Sequence, residues 1–340
     1  MTKFKFGNGD NLSVTVSTNG DTYIIGNGNN DVVNAAGSTH DTITLGNGAG
    51  DVVHAQDGIV DTITLGNGAG DFVDASLSEF DTITLGDGAG DSVFTLFGND
   101  DTITLGNGNN DVVNADNTSG DTITLGDGVG DVVNAAGSTH DTITLGNGAG
   151  DVVHAQDGIV DTITLGNGAG DFVDASLSEF DTITLGAGAG DSVFTLFGND
   201  DTITLGNGNN DVVNAASSTH DTITLGNGNN DTVFSGGFST ITVGNGNDTI
   251  HVGTANTVTV GTGQDSFVFD QTTAGSIGAV TINHFDPAKD VITIAQSLAA
   301  NLTIADVNGN AVVTIDNSGD TITLTGVQSS ALHASDFHLV

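Results

Sequence analysis

The sequence has no cysteine and no tryptophan, one proline, and three basic side chains, Lys3, Lys5 and Lys289. Without cysteine there can be no disulfide staple and no thiolate metal site. Three cationic side chains against 43 carboxylates give a formal net charge of −40. Recognition of phosphate needs Lys and Arg, so nucleic acid is excluded as a partner and anionic membranes are disfavoured. No apolar run approaches the roughly 20 residues of a membrane span, so insertion is not expected. The segment from Met1 to Gly7 also lacks an apolar stretch of signal-peptide length. Acidity of this degree often marks disorder. Here that reading is weak, because Val, Ile and Leu recur in fixed register with Asp.

What the chain does have is period. Asp occupies every tenth position from Asp21 to Asp231, twenty-two times in succession. Two decapeptides alternate, Asp41-Thr-Ile-Thr-Leu-Gly-Asn-Gly-Ala-Gly50 and Asp31-Val-Val-Asn-Ala-Ala-Gly-Ser-Thr-His40, so the full repeat is twenty residues. Residues 31–110 recur at 131–210 with one change, Asp87 to Ala187. Identity between those two copies therefore says little about constraint.

Within each decapeptide, apolar and polar residues alternate over five positions, the pattern of a half-buried strand. Ile43 and Leu45 point inward while Thr42 and Thr44 point out; Val33 and Ala35 point inward while Val32 and Asn34 point out. The Gly- and Asn-rich residues that follow suit tight reversals. The fold class expected is all-β, a parallel β-roll or β-solenoid with about 20 residues per coil and two strands per coil, coils stacking at roughly 4.8 Å. Its core is thin, so stability comes from stacking neighbours. Four regions are expected: an N-terminal cap and first coil at 1–20, the solenoid at 21–240, coils of nine-residue spacing at 241–269, and a C-terminal β cap at 270–340 with longer strands.

Stacking sets each Asp above its counterpart. Two carboxylates about 5 Å apart repel by roughly 0.8 kcal/mol even at the dielectric constant of water. Such columns need protons or bridging cations, and so many protons are not expected at neutral pH. Hard oxygen donors, no Cys and few His select Ca²⁺ over zinc or copper. If Asp served only to start each strand, Asn or Ser should stand in for it; between Asp21 and Asp231 neither does.

Residues 243–251 and 260–268 resemble the Ca²⁺-binding nonapeptide G-G-x-G-x-D-x-U-x of repeats-in-toxin proteins, with Val in place of the first Gly. The main array resembles it with one added turn residue, as in Leu45-Gly-Asn-Gly-Ala-Gly-Asp51, and the likeness covers about residues 7–268. The resemblance implies multiple Ca²⁺ ions held between coils at the Gly-Asn-Gly turns. Their ligands would be Asp31, Asp51, Asp71, Asp91, Asp111, Asp131, Asp151, Asp171, Asp191, Asp211 and Asp231, followed by Asp248 and Asp265. The opposite turns depart from the pattern, Gly37-Ser-Thr-His-Asp41 for example; Asp101 and Asp201, after Phe-Gly-Asn-Asp, are the candidates there. The C-terminal segments Asp265–Asp270, Ile282–Asp286 and Asp336-Phe-His-Leu-Val340 are similar to the ends of bacterial type I secretion substrates, which carry an uncleaved C-terminal signal. This implies a secreted, extracellular protein of a bacterial surface or matrix, folding where calcium is plentiful.

No catalytic constellation is present, and an enzyme is not expected. The repeat histidines His40, His54, His140, His154, His220 and His251 occupy variable turn or outward positions, and His284, His333 and His338 have no triad partner that spacing identifies. The pairs Thr42/Thr44, Thr62/Thr64 and their kin form two Thr columns on a flat sheet. Such arrays resemble the ice-binding faces of β-solenoid antifreeze proteins, though Thr also suits any exposed strand. The same strings resemble those of bacterial surface-layer proteins of the repeats-in-toxin family. Outward Phe72, Phe94, Phe172 and Phe194 on the other sheet suggest an interface. The expected function is a secreted, calcium-binding structural protein that self-associates into a surface layer, filament or matrix. Ice binding through the Thr face is the alternative.

Overall fold

The computed structural model describes residues 2–270, 276–298, 302–315 and 319–340. They form two compact units, Met1–Asp174 and Ala175–Val340. Both are all-β parallel solenoids with two strands per coil and about twenty residues per coil. No helix among the described residues is long and apolar enough to cross a membrane.

In the first unit one sheet contains Thr42–Thr44, Thr62–Thr64 and their successors to Thr162–Thr164; we call it the Thr sheet. The facing Val sheet contains Val32–Asn34, Val52–His54 and their successors to Phe172–Asp174. Neighbouring strands pair in parallel at an offset of one repeat, Ile43 with Ile63 and Val33 with Val53. The register puts like on like, so Ile43, Leu45, Val53 and Ala55 are all buried. Each such residue loses the water from its whole side chain, roughly 1.5–3 kcal/mol for Ile or Leu. No coil could keep these residues dry alone.

The regular strands are three residues long where five were expected. Hydrogen bonding nevertheless runs past their ends: Thr42 donates to the Asp21 carbonyl and Leu45 to the Thr64 carbonyl, both at 2.8 Å. A fourth inward position lies in each turn. In the turns that follow the Thr sheet it is Gly, as at Gly48, where a Cβ would sit 1.6 Å from the Gly28 carbonyl oxygen. No side chain fits there without moving backbone. In the turns that follow the Val sheet it is Gly or a small hydroxylated residue, Ser38, Gly58, Ser78, Gly98 and Thr118.

The second unit continues the pattern and then tightens. Thr222 pairs with Thr240 and Thr240 with Thr257, offsets of 18 and 17 residues. Val212–Thr219 and Thr232–Gly237 run on as longer strands. Phe267 and Phe269 replace small aliphatics and are fully buried. The Thr sheet closes with Ala279–Asn283 against Asp320–Thr325, which pairs antiparallel with Asn310–Ile315 and that in turn with Leu302–Val307. The Val sheet closes with Val291–Ile294 and Phe337–Leu339.

Candidate cation site: two buried aspartate columns

The twenty-two Asp of the decapeptide series do not sit on the turn surface. All are buried, at 5% exposure or less. The formal charge of −40 is therefore carried largely by the interior. From Thr22 to Thr164 the strands of the Thr sheet bear no charged side chain, and those of the Val sheet bear only Asp74 and Asp174.

The Asp lie in two columns, one at each edge of the sandwich. In the first unit, the column entering the Val sheet contains Asp31, Asp51, Asp71, Asp91, Asp111, Asp131, Asp151 and Asp171. From Asp31 to Asp151 each backbone N–H donates to the Oδ1 of the Asp one coil on: Asp31 to Asp51 at 2.9 Å, Asp51 to Asp71 at 2.9 Å, Asp131 to Asp151 at 3.0 Å. The column entering the Thr sheet does the same, Asp41 to Asp61 and Asp61 to Asp81, both at 2.8 Å. The carboxylate thus satisfies a backbone donor that the three-residue strands leave open.

The second oxygen is the unusual one. In Asp31, Asp51, Asp71, Asp91, Asp111, Asp131 and Asp151 the Oδ2 is buried and has no hydrogen-bond partner, as in Asp211, Asp231, Asp248 and Asp265 of the second unit. A buried carboxylate oxygen in that state costs several kcal/mol if charged. Burial, and then the neighbouring carboxylates, raise the pKa of Asp71 and Asp111 to about 7. Burial also raises Asp131, Asp211 and Asp248 to about 6 and Asp265 to about 7.

The column entering the Thr sheet divides by the residue three positions earlier. Where that residue is Gly, burial raises Asp61 to about 7, Asp101 to about 9 and Asp201 to about 8. Where it is Ser or Thr, a hydroxyl lies near the column and in places bonds a carboxylate of its own or the next coil, while Oδ2 of Asp41, Asp81 and Asp121 keeps no hydrogen-bond partner. Ser218 donates to Asp221 Oδ2 at 2.6 Å and Thr118 to Asp141 Oδ2 at 3.3 Å. There the same burial raises Asp81, Asp141 and Asp221 only to about 6 and Asp121 to about 7, the hydroxyl opposing it.

Of the residues singled out from sequence, Asp31 through Asp231 with Asp248 and Asp265 fall in one column type. In the second unit it continues to Asp290, which the sequence reading missed, through Asp265 N–H to Asp290 Oδ1 at 3.0 Å. Asp101 in the first unit and Asp201 in the second belong to the other column type, and Asp101 shares its geometry with Asp41, Asp61, Asp81 and Asp121. That column ends differently: the Asp221 N–H donates to Ser239 Oγ at 3.1 Å and the Ser239 N–H to Asn256 Oδ1 at 2.8 Å. Two neutral acceptors take the Asp position where the array finishes. The decapeptide period stops at Asp231, so sequence pattern alone gave no signal for them.

The donor chemistry suits a hard cation: buried carboxylate oxygens without partners, surrounded by turn carbonyls and no sulfur. Each coil contributes one carboxylate per column, and among the described residues no three His, Cys, Asp or Glu side chains gather into a cluster. An ion would be held by Asp oxygens together with backbone carbonyls.

The four Phe expected to stand outward on the Val sheet are half-buried. Phe72 and Phe94 pack edge to face with ring centroids 5.1 Å apart. Within the repeats most exposed large apolar residues lie instead in the turns after that sheet, as Leu77, Phe80 and Phe97 do at 56%, 51% and 59%, with Val129 in a turn after the Thr sheet. Strand periodicity gives no signal for them, because turn residues belong to no sheet face.

No family model matches this sequence, and no curated protein matches it. Among solved structures, similarity was found to HetL, a pentapeptide repeat protein involved in heterocyst differentiation regulation from the cyanobacterium Nostoc sp. strain PCC 7120. The identity is 8%, the match covers 65% of this chain and 86% of that one, and the TM-score is 0.20, too low an overlap to carry an argument.

Proposed function

We propose that the protein is a calcium-dependent structural solenoid of the repeats-in-toxin type, secreted, folding outside the cell and self-associating into a surface layer, filament or matrix. The observation that carries this reading is the pair of buried Asp columns with unpartnered Oδ2 atoms. A fold that buries so many carboxylates is stable only when something neutralises them. Bound Ca²⁺ would supply positive charge at those oxygens, held by Asp31, Asp51, Asp71 and their column mates with turn carbonyls. The chain's own part is to fix each carboxylate through the Oδ1 hydrogen bond, turning Oδ2 towards the ion, and to keep water from the column by stacking Gly48 and its equivalents against it. Since ion binding and burial are one event, apoprotein should not fold at neutral pH.

Self-association is supported by where the charge is absent. Two broad faces with almost no charged side chains can approach a second copy without the repulsion that −40 would imply. Adding chelator at pH 7.5 should abolish the β circular-dichroism signal and calcium should restore it; a spectrum indifferent to chelator sinks the calcium reading. Electron microscopy with calcium should show lattices or filaments, and a persistent monomer would argue against assembly.

The alternative, ice binding, is favoured by one observation, the in-register Thr columns Thr42–Thr62–Thr82 and Thr44–Thr64–Thr84 on an uncharged sheet. Its test is ice shaping by the monomer, abolished by Thr82→Tyr.

A further inference from the structure

We propose that the turn edge following the Val sheet in the second unit is a docking site for a basic, apolar-patterned segment of another protein, centred on a groove between Phe197 and Phe238. Leu177, Phe180, Phe197 and Phe238 are exposed at 55%, 52%, 62% and 58%. All four also have left-handed backbone, with φ of 66°, 63°, 62° and 59°. Bulky L residues are disfavoured there, and Gly or Asn is the usual occupant. The opposite edge of the same unit obeys that preference with Gly190, Asn210 and Asn230. The fold therefore needs the conformation but not the bulk. These side chains are costly to water and to backbone alike, and a function outside the fold accounts for them. Phe238 lies beyond the duplicated block, so its agreement with Phe180 and Phe197 is not inherited from the duplication.

Between Phe197 and Phe238 runs a coil of small residues, Ser217, Ser218 and Thr219, leaving a groove of about 530 Å³ walled by the two rings. That volume admits one or two large side chains of a partner. Acids stand on its approach. The exposed Asp200 donates its N–H to the Thr219 carbonyl at 3.0 Å, and the exposed Glu179 pairs with Asn199 in the adjacent coil. Aromatic walls with an acidic rim complement a segment that carries both apolar and cationic side chains. A second copy offers only one such segment, already paired as a strand with Thr22–Ile24. Of the three basic side chains, Lys3 and Lys5 alternate along a strand with Phe4, which stacks on Tyr23 at 4.9 Å. The third, Lys289, lies 3.6 Å from Asp286 and donates to the Thr262 carbonyl.

The test uses the full chain in calcium buffer and a labelled ten-residue peptide of lysines around two phenylalanines, read by fluorescence anisotropy. Saturable binding is expected, lowered at least tenfold by Phe197→Asn with Phe238→Asn, without a fall in thermal midpoint because Asn accepts positive φ. Glu179→Gln with Asp200→Asn should lower affinity several-fold and flatten its salt dependence. Four results would each overturn the proposal: no binding; equal binding of peptides with Glu for Lys or Ser for Phe; unchanged affinity in the Asn variants, or their unfolding; and a concentration-dependent dimer in sedimentation that those variants abolish, which would assign the edge to a second copy.

Discussion

In the first unit, the two edges of the coil meet the same backbone requirement with different residues. Each turn needs a left-handed residue just before Asp. After the Thr sheet that residue is Asn30, Gly50, Gly70, Gly90 or Asn110; after the Val sheet it is His40, Val60, Phe80, Asp100 or Gly120. The inward turn position differs in the same sense. It is Gly throughout on one edge, because the preceding coil's carbonyl fills the space of a Cβ, and Gly, Ser or Thr on the other. One edge is thus held by sterics and leaves Oδ2 of Asp31 through Asp151 to a cation or proton. The other has room, and uses it in places to give Asp a hydroxyl. The comparison separates what stacking demands from what the sequence chose.

The largest effect should come from closing the tight edge. Gly88→Val puts a side chain where a Cβ alone would lie 1.7 Å from the Gly68 carbonyl oxygen. It should cost about 3 kcal/mol or more, whereas Ser78→Gly on the roomy edge should cost about 1 kcal/mol. Denaturant unfolding with calcium present measures both, and equal losses would erase the distinction between the edges.

Next comes pH. The folded-state values cited for the columns, about 6 to 9, lie above the ordinary 3.8, so the folded state binds more protons than the unfolded one. Calcium-free protein should be most stable near pH 4 and lose stability as pH rises towards 9. Each tenfold gain in a carboxylate's proton affinity on folding contributes about 1.4 kcal/mol at most. Calcium should flatten that slope. Thermal scans in chelator, taken upward from pH 4 until the fold is lost, decide it, and a midpoint that rises with pH contradicts the buried columns.

A sharper comparison is Asp101 with Asp81, in the same column but preceded by Gly98 and by Ser78, whose nearby hydroxyl opposes the rise at Asp81. Asp101→Asn keeps the Oδ1 acceptor, as Asn256 does naturally, and removes the group most strongly raised. In chelator it should raise the pH at which the fold is lost, and Asp81→Asn should raise it by less. Equal gains would show that Ser78 is irrelevant to its neighbour. The smallest effect expected is at Val60. Val60→Gly relieves a β-branched residue at φ 60° and should raise stability by about 1 kcal/mol, a few degrees in midpoint.

The strands, their register and the parallel solenoid were legible because an alternating pattern repeated at a fixed interval permits few other packings. Ile43, Leu45, Val33 and Ala35 are where their spacing puts them. The interior position of Asp was not legible. A polar residue after a Gly-rich stretch reads as turn surface, and the donor that draws Asp51 inward is the Asp31 N–H, twenty residues away and invisible to any local window. Nor could sequence equate the two columns. The glycines before Asp51 resemble a calcium-binding turn, yet Asp41, after Ser-Thr-His, is buried to the same degree. Exposed Phe80 and Phe97 escaped because a turn conformation that usually selects Gly gives no reason to look for aromatic rings.

The Asp ladder also has a direction. Every rung is finished by the carboxylate of the coil after it, never the coil before. Removing a coil from one end of a run strands an amide N–H, while removing one from the other end strands only a carboxylate that water can hydrate. The column entering the Thr sheet meets the first case with Ser239 and Asn256, acceptors that carry no charge. A stack of nearly identical coils is therefore not reversible end for end: the buried Asp N–H of each coil is satisfied only once its successor is in place, while the exposed turn N–H groups of Asn47 and Asn67 draw on the coil before.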